Sequence, residues 1–174
     1  MPFLVPHRHD ALVIRRAAAA DAAAIARVHV RSWREAYRGL IPQPYLDQLS
    51  LPAHERQWRR GLADGGWAFV AEWERRVVGF GSGGLSRGRR DISGELYVLY
   101  VLDACHRRGV GRALFDACHY ELARCGHRGL LVRVLADNGP ARRFYERLGG
   151  ELAAEGSVAI AGTRLREVTY VWRD

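Results

Sequence analysis

Hydrophobic and polar positions along the chain follow two spacings, one typical of amphipathic helices and one typical of strands. Helical spacing begins at Asp21 and ends near Gly39, before the IPQP turn. It returns in three later segments, Tyr45–Leu62 (one or two short helices), Arg112–Arg124 and Asn138–Leu148. Asn138 is a favourable N-cap and Gly149 a favourable end for the last of these helices.

Short apolar runs bounded by turn residues predict the strands. The predicted strands are Ala11–Arg16, Trp67–Trp73, Arg76–Phe80, Glu95–Leu102, Gly129–Ala136, Glu151–Ala154 and Arg164–Arg173. The second and third flank a two-residue polar turn and therefore predict a hairpin. The glycine- and arginine-rich segment 82–91 is interpreted as a loop between strands.

Strands alternate with helices only in the second half of this order. We therefore expect an α/β (α+β) fold, in which a mixed sheet carries helices on its faces. With 174 residues the chain has the length of one ordinary domain. Residues 1–10 are predicted to form a loose N-terminal tail and residues 11–174 a single domain.

Charge adds information about partners. The chain has 27 basic and 19 acidic residues and a net charge of +8, and every basic residue is arginine. This excess favours anions such as nucleic acid, an acidic protein or a phosphorylated cofactor. The arginines are spread along the whole chain, as on an ordinary solvated surface, so no nucleic-acid partner is expected.

Other classes of protein are disfavoured by what the sequence lacks. No apolar run is long enough to span a membrane, and the N-terminus does not resemble a signal peptide. The three cysteines are an odd number, which favours a reducing compartment, so we expect a cytoplasmic protein. Cysteines and histidines between Cys118 and His127 suggest zinc, but no CxxC pair accompanies them and we expect no metal.

The most informative segment is Tyr97–Leu114, where an apolar strand leads through Gly109 and Gly111 directly into a helix. Helix N-termini present unpaired N–H groups that bind phosphate, and glycines allow the backbone to approach an anion closely. Arginines at 107, 108 and 112 add positive charge. The segment fits the dinucleotide fingerprint GxGxxG only in part and is not a P-loop. A plain helix start with two turn glycines is the alternative.

Two signatures in the chain resemble those of the GNAT superfamily of acyl-CoA N-acetyltransferases. His106–Gly111 resembles the pyrophosphate signature Arg/Gln-x-x-Gly-x-Gly/Ala, with histidine at the first position. Asn138–Gly150 resembles Asn-x-x-Ala-x-x-Phe-Tyr-x-x-x-Gly-Phe, with glycine at the last position. Segments 14–22 and 32–40 are similar to a bacterial subgroup that resembles ribosomal-protein alanine acetyltransferases. The resemblance covers residues 11–174.

The resemblance implies the GNAT fold, a mostly antiparallel sheet whose parallel fourth and fifth strands splay apart around CoA. It also implies acetyl-CoA as cosubstrate and direct transfer of the acetyl group to a primary amine. The implied CoA-binding residues are the backbone of Leu99, Tyr100 and Val101, the turn of Arg107, Arg108, Gly109, Val110, Gly111 and Arg112, and the side chain of Asn138.

Acetyl transfer to an amine requires the amine to lose a proton and the thiolate to be helped by one. By resemblance, Glu95 is the candidate base and Tyr145 the candidate acid. The alternatives are a solvated charge at a strand end for Glu95, with no base needed, and a core aromatic for Tyr145. Trp33, Tyr37 and the Gly39–Pro42 turn are expected to border the acceptor site, although Trp33 and Tyr37 also fit the buried stripe of their helix.

Several functional alternatives stay open at this point. The donor could be another acyl-CoA, or the domain could bind or sense CoA without catalysis. The acceptor could be a small-molecule or a peptide amine, and a homodimer is compatible with the family. Cys105 lies just outside the glycine turn, so a covalent enzyme intermediate is not expected.

Overall fold

A computed structural model of the chain describes residues 12–88 and 91–173. The predicted tail, residues 1–10, lies outside these ranges. The described residues form the strands β1 (Val13–Arg16), β2 (Phe69–Trp73), β3 (Arg76–Leu85), β4 (Gly94–Val101), β5 (Leu130–Leu135), β6 (Glu151–Ile160) and β7 (Thr163–Trp172). The helices are α1 (Ala22–Ala36), α2 (Gln43–Asp47), α3 (Leu51–Ala63), α4 (Val110–Arg124) and α5 (Gly139–Arg147).

The strands form one sheet in the order β1-β2-β3-β4-β5-β7-β6. All neighbours are antiparallel except β4 and β5, which are parallel. The sheet is therefore mixed and mostly antiparallel with a parallel central pair, which confirms the predicted GNAT fold class. No helix in the described ranges is long and apolar enough to cross a lipid bilayer.

The two faces of the sheet carry different helices. One face packs against α4 and α5 through an apolar cluster that includes Leu96, Phe115 and Val132. The other face packs against α1 and α3 around Ile25 and Phe80, with Trp58 beside them. Burial of these side chains on both faces makes the sheet the centre of the molecule.

A bulge in β4 changes which of its side chains point to each face of the sheet. Val98 pairs with Ser82 and Leu96 with Gly83, so Tyr97 is an extra residue in the strand. Such a bulge shifts the alternation of side chains by one position. Leu96 therefore faces α4 before the bulge, Leu99 faces α4 after it, and Tyr100 faces α1.

The predicted loop at 82–91 is wrong over its first four residues, because β3 continues to Leu85. Glycine is a poor strand former by propensity, and sequence reasoning ended the strand for that reason. In the sheet, neighbouring atoms leave no room for a side chain at these positions. A Cβ at Gly83 would lie 2.4 Å from the Glu95 carbonyl oxygen, and one at Gly84 would lie 2.9 Å from the Tyr97 hydroxyl.

The last hairpin is also longer than predicted, since β6 extends to Ile160 instead of ending at Ala154. Its residues have weak strand propensity by themselves, but ladder pairing with β7 holds them extended. Ala161 and Gly162 both have positive φ, which is typical of the two-residue turns that join antiparallel strands. Glu74 and Arg75 make the same kind of turn in the predicted β2–β3 hairpin.

Candidate functional site

The parallel strands β4 and β5 pair over only three residues and then separate. Their register ends at Leu96 and Val132, so the remainder of each strand borders a gap in the sheet. The Leu102 N–H donates to the Val78 carbonyl at 2.9 Å. Because alternate residues of a strand bond to the same neighbour, Leu99 and Val101 direct their backbone groups away from β3 and toward the gap.

The bulge of β4 lies before the stretch that sequence reasoning singled out. It occurs at Tyr97, whereas Leu99, Tyr100 and Val101 keep a regular register with β3. The backbone of Leu99 faces the gap because β5 no longer pairs with β4 beyond Leu96. Val101 has its carbonyl oxygen 2.8 Å from Nε2 of His106, so the histidine ties the following turn to the strand.

The turn after β4 adopts the conformation that its glycines permit. Gly109, the N-cap of α4, has φ +80, and Arg107 has φ +59. The first helical hydrogen bond runs from the Ala113 N–H to the Gly109 carbonyl. The N–H groups of Val110, Gly111 and Arg112 precede it and have no acceptor within the helix. Together with the positive end of the helix dipole, such N–H groups can bind an anion.

The arginines of this turn are largely exposed. Arg112 makes one long ion pair with Asp116, at 3.7 Å, and both side chains are more than half exposed. Arg108 has its guanidinium 5.5 Å from the centre of the Trp73 ring. A Cβ at Gly111 would lie 3.2 Å from the Phe144 ring, so the absence of a side chain lets α4 and α5 approach closely.

Helix α5 begins at the corresponding end of β5. The Asn138 side chain accepts a hydrogen bond from the Ala141 N–H at 3.2 Å, which confirms its predicted role as N-cap. Asn138 is buried. The N-termini of α4 and α5 thus flank the open end of the gap.

Tyr145 projects from α5 into the apolar cluster and is 7% exposed. Its ring contacts Phe144, Phe115 and Trp172, with centroid separations of 5.0, 6.4 and 6.1 Å. Burial raises the pKa of Tyr145, so the hydroxyl stays protonated at neutral pH. Among the described residues, no side chain or backbone group hydrogen-bonds this hydroxyl.

Two further tyrosines reach the gap from the opposite face of the sheet. The hydroxyls of Tyr37, at the end of α1, and Tyr100, on β4, are 3.0 Å apart and hydrogen-bonded. Burial raises the pKa of both, and each interacts electrostatically with Tyr145. His29 stacks on Tyr100 with centroids 5.5 Å apart. Burial lowers the pKa of His29 to about 4, so this neighbour is neutral.

A cleft of about 470 Å³ opens on this second face. Its walls come from α1, β4, β5, the segment after β3 and the β6–β7 hairpin. The lining residues are Trp33, Tyr37, Arg87, Glu95, Leu96, Tyr97, Tyr100, Arg133, Leu135, Ser157, Val158, Ile160 and Glu167. The cleft therefore combines aromatic and aliphatic walls with two arginines and two glutamates.

Glu95 is held at the narrow end of the gap by two arginines. It is 1% exposed. Its carboxylate accepts hydrogen bonds from the Arg87 backbone N–H at 2.7 Å and from the Arg87 guanidinium at 2.8 Å. Arg133 lies 3.7 Å away. The interpretation of Glu95 as a solvated charge at a strand end is therefore wrong, because burial and arginine pairing fix its position in the cleft wall.

Sequence reasoning missed three charged residues of the cleft, Arg87, Arg133 and Glu167. One signal was present: Arg133 interrupts an otherwise apolar strand, which is the pattern of a strand with one side chain facing a polar cavity. Arg87 lies in the segment interpreted as a loop. Glu167 lies in a strand whose partner register, opposite Leu135 on β5 and Gly156 on β6, cannot be read from the sequence.

Trp33 and Tyr37 fit both interpretations given above, as residues that border a cleft and as part of the buried stripe of their helix. Trp33 and Tyr37 line the cleft, and they also pack against the buried Ile41 and Leu46. The Gly39–Pro42 turn does not line the cleft, and its Ile41 is buried beneath these aromatic rings. In the described ranges, no group of three or more histidine, cysteine or acidic side chains converges in a way that could hold a metal ion.

Comparisons with known proteins place this geometry among relatives. Residues 27–150 match the family model described as Acetyltransferase (GNAT) family. Over 165 residues the chain is 38% identical to the uncharacterized N-acetyltransferase YuaI of Bacillus subtilis (strain 168), and the alignment covers 94% of each chain.

Solved structures share the fold at lower identity. The structure of yncA from Salmonella typhimurium with its cofactor acetyl-CoA has a TM-score of 0.73 at 21% identity, covering 94% of both chains. A ribosomal-protein-alanine N-acetyltransferase from Brucella melitensis has a TM-score of 0.73 at 23% identity, covering 93% of this chain and 99% of that one.

Proposed function

Because the chain belongs to the GNAT acetyltransferase family, we propose that it transfers the acetyl group of acetyl-CoA directly to a primary amine. Acetyl-CoA is the cosubstrate of GNAT acetyltransferases. One observation carries the proposal for this chain: the gap between β4 and β5 joins an anion-binding helix start on one side to a charged cleft on the other. A donor and an acceptor can therefore meet at the gap from opposite faces.

The residues around the gap fit a phosphorylated thioester with a long amide arm. The free N–H groups from Val110 to Arg112, with Arg107 and Arg108, would hold the pyrophosphate. The gap-facing backbone of Leu99 and Val101 would hold the amide arm by strand-like hydrogen bonds, and Asn138 would contact it at the open end. When bound, the thioester supplies an activated acetyl group.

Glu95 is the proposed proton acceptor for the amine. A free alkyl amine has a pKa near 10 and is mostly protonated at neutral pH, so it must lose a proton before attack. Each carboxylate oxygen of Glu95 accepts one hydrogen bond from Arg87 and can accept another, from the amine or from a bridging water. The two arginines fix the carboxylate in the cleft wall, so a group arriving there meets a positioned acceptor.

Tyr145 is the proposed proton donor to the departing thiolate. Its hydroxyl is protonated, has no hydrogen-bond partner among the described residues, and belongs to a side chain enclosed by aromatic rings. Enclosure in an apolar cluster excludes water, which strengthens a hydrogen bond formed there. The gap-facing N–H of Leu99 is the proposed donor to the oxyanion.

The direct test measures CoA release from acetyl-CoA with a panel of primary amines: benzylamine, putrescine, an L-amino acid and a short peptide with a free N-terminus. We expect amine-dependent release with at least one of them, and slower release with propionyl-CoA or succinyl-CoA as donor. Binding of CoA without release from any donor–amine pair would instead favour a sensing domain. A faster reaction with a longer acyl donor would replace acetyl by that acyl group.

A further inference from the structure

Glu167 is the one carboxylate of the cleft that has no hydrogen-bonding partner among the described residues. Glu95, by contrast, accepts two hydrogen bonds from Arg87. The Glu167 carboxylate interacts with Arg87 and Arg133 only through longer-range electrostatics. The cleft therefore contains a negative charge without a bonded counter-ion.

The two nearby guanidiniums are committed to other contacts. Arg87 bonds to Glu95 at 2.8 Å and lies 4.2 Å from the centre of the Tyr97 ring. Arg133 donates to the Arg87 carbonyl oxygen at 2.6 Å and lies 3.7 Å from Glu95. Both arginines therefore lie toward Glu95, and neither donates a hydrogen bond to Glu167. The Glu167 carboxylate can thus accept hydrogen bonds from a ligand.

Glu167 also lies where a ligand can reach it beside the gap. On β5 its register partner is Leu135, which lies beyond the end of β4–β5 pairing. On β6 its partner is Gly156, and a Cβ at Gly156 would meet no atom within 4 Å. Cross-strand partners point to the same face of a sheet, so the space next to the Glu167 side chain is open.

The electrostatic state of Glu167 favours a cation. Burial raises its pKa, because a carboxylate that has lost part of its hydration is less stable as an anion. A cation placed beside it would replace the lost hydration with a charge-assisted hydrogen bond. Part of the surrounding wall is apolar: Leu135, Val158 and Ile160 lie on one side, and the rings of Trp33 and Tyr97 also line the cleft.

We propose that Glu167 binds the ammonium group of the acceptor, and that the acceptor is a primary amine carried on an apolar body that packs against the aromatic and aliphatic walls. This inference rests on the proposed function, since it names the recognition residue for that acceptor. Glu167 is thereby distinct from Glu95: it recognises the protonated amine in the ground state, and Glu95 takes the proton at the gap.

The test compares two ligands that differ in charge and hardly in shape, phenethylamine and 2-phenylethanol. Each is titrated into the CoA-saturated protein at neutral pH, with binding followed by calorimetry or ligand-observed NMR. We expect the wild type to bind the amine at least about fivefold more tightly than the alcohol, as one charge-assisted contact provides. In Glu167→Gln the preference should fall below about twofold with the alcohol affinity unchanged, and Glu167→Asp should retain part of it.

Glu155→Gln is the matched control, because Glu155 lies on the exposed strand β6 and does not line the cleft. This variant should keep the full preference. Equal binding of the two ligands by the wild type, no binding of either, or a preference that survives Glu167→Gln would each overturn the inference. Failure of the proposed function has a different signature, since CoA would then not be released with any amine although the charge preference at Glu167 persisted.

Discussion

The two faces of the sheet differ sharply where β4 and β5 separate. On the α4–α5 face the gap is enclosed by aromatic and aliphatic side chains around Tyr145, which has no charged partner within residues 12–88 and 91–173. On the α1 face it opens into a cleft with two arginines and two glutamates. Both faces are built from the same two strands, because alternate side chains of a strand point in opposite directions.

The difference indicates a division of chemical tasks across one sheet. In the function that we propose, the apolar wall keeps a phenol protonated and strengthens its hydrogen bond to a developing thiolate. The charged cleft would stabilise an amine in its protonated form and provide a carboxylate to take its proton. This interpretation would be contradicted if a variant that removes a polar group from one face had the kinetic effect expected for a variant of the other face.

The largest effect is expected for Tyr145→Phe, which removes a hydroxyl from the apolar wall and keeps the ring. A general acid contributes about 10²–10⁴-fold. Because a thiolate leaves fairly well unaided, we expect kcat to fall by about 100-fold with little change in the KM for acetyl-CoA. Steady-state kinetics measures this, and a thermal melt confirms folding. Tyr120→Phe, on the exposed side of α4, is the control. A kcat within about twofold of the parent would make Tyr145 a packing residue.

Glu121, a buried carboxylate on the α4 side of the sheet, tests whether burial and pairing with arginine are enough to make a carboxylate contribute to the rate. Glu121 is 3% exposed and bonds to Arg16 at 2.6 Å and Arg124 at 2.9 Å, much as Glu95 bonds to Arg87. It does not line the cleft. We therefore expect Glu121→Gln to lower the free energy of unfolding by about 2 kcal/mol at neutral pH and to leave kcat unchanged.

The pH dependence of that stabilisation has a defined sign. Hydrogen bonds from the arginines lower the pKa of Glu121 to about 2, below its ordinary value of 4.5. The stabilisation is therefore complete above pH 4.5 and is lost as pH falls toward 2. Urea unfolding of the wild type and Glu121→Gln at pH 7, 5 and 3 should give a difference that shrinks only at pH 3. A difference that is constant with pH would contradict the ionic origin of the stabilisation.

Glu95→Gln tests the charged face directly. We expect a rate reduction of about tenfold at pH 6–7, because the amine then depends on a protein group to take its proton. The reduction should diminish toward pH 9–10, where more of the amine is already neutral. A pH–rate profile of the variant against the wild type checks this. A loss of rate by the same factor at every pH would mean that Glu95 only organises Arg87 and Arg133.

The smallest effect is expected at the open end of the gap. Gly109→Val places a β-branched side chain at φ +80, which strains the turn by about 1–2 kcal/mol and displaces the N–H groups that follow it. We expect the Kd for CoA to rise about fivefold, measured by calorimetry. Gly162→Val is matched in strain, with φ +75 and no atom within 4 Å of a Cβ, but lies at the tip of the β6–β7 hairpin. Equal CoA affinity in the two variants would exclude the α4 turn as the anion site.

The local elements could be read from the sequence because their signals are local. The glycine turn before α4, the N-cap at Asn138 and the two-residue turn at Glu74–Arg75 each depend on the conformation of a few neighbouring residues. The end of β3, Ser82–Leu85, was missed for the converse reason. Its glycines disfavour a strand locally, and the segment is extended only because it pairs closely with β4.

The sequence by itself determined the glycine turn that we propose as the anion site, since the conformation of a strand-to-helix turn depends on its own glycines. Tertiary structure alone decided the composition of the cleft. Glu95, Arg133 and Glu167 lie on three strands brought side by side only by the order β4-β5-β7. The bulge at Tyr97 then decides which β4 side chains face that cleft, because one inserted residue reverses the alternation, and its position depends on the pairing with β3.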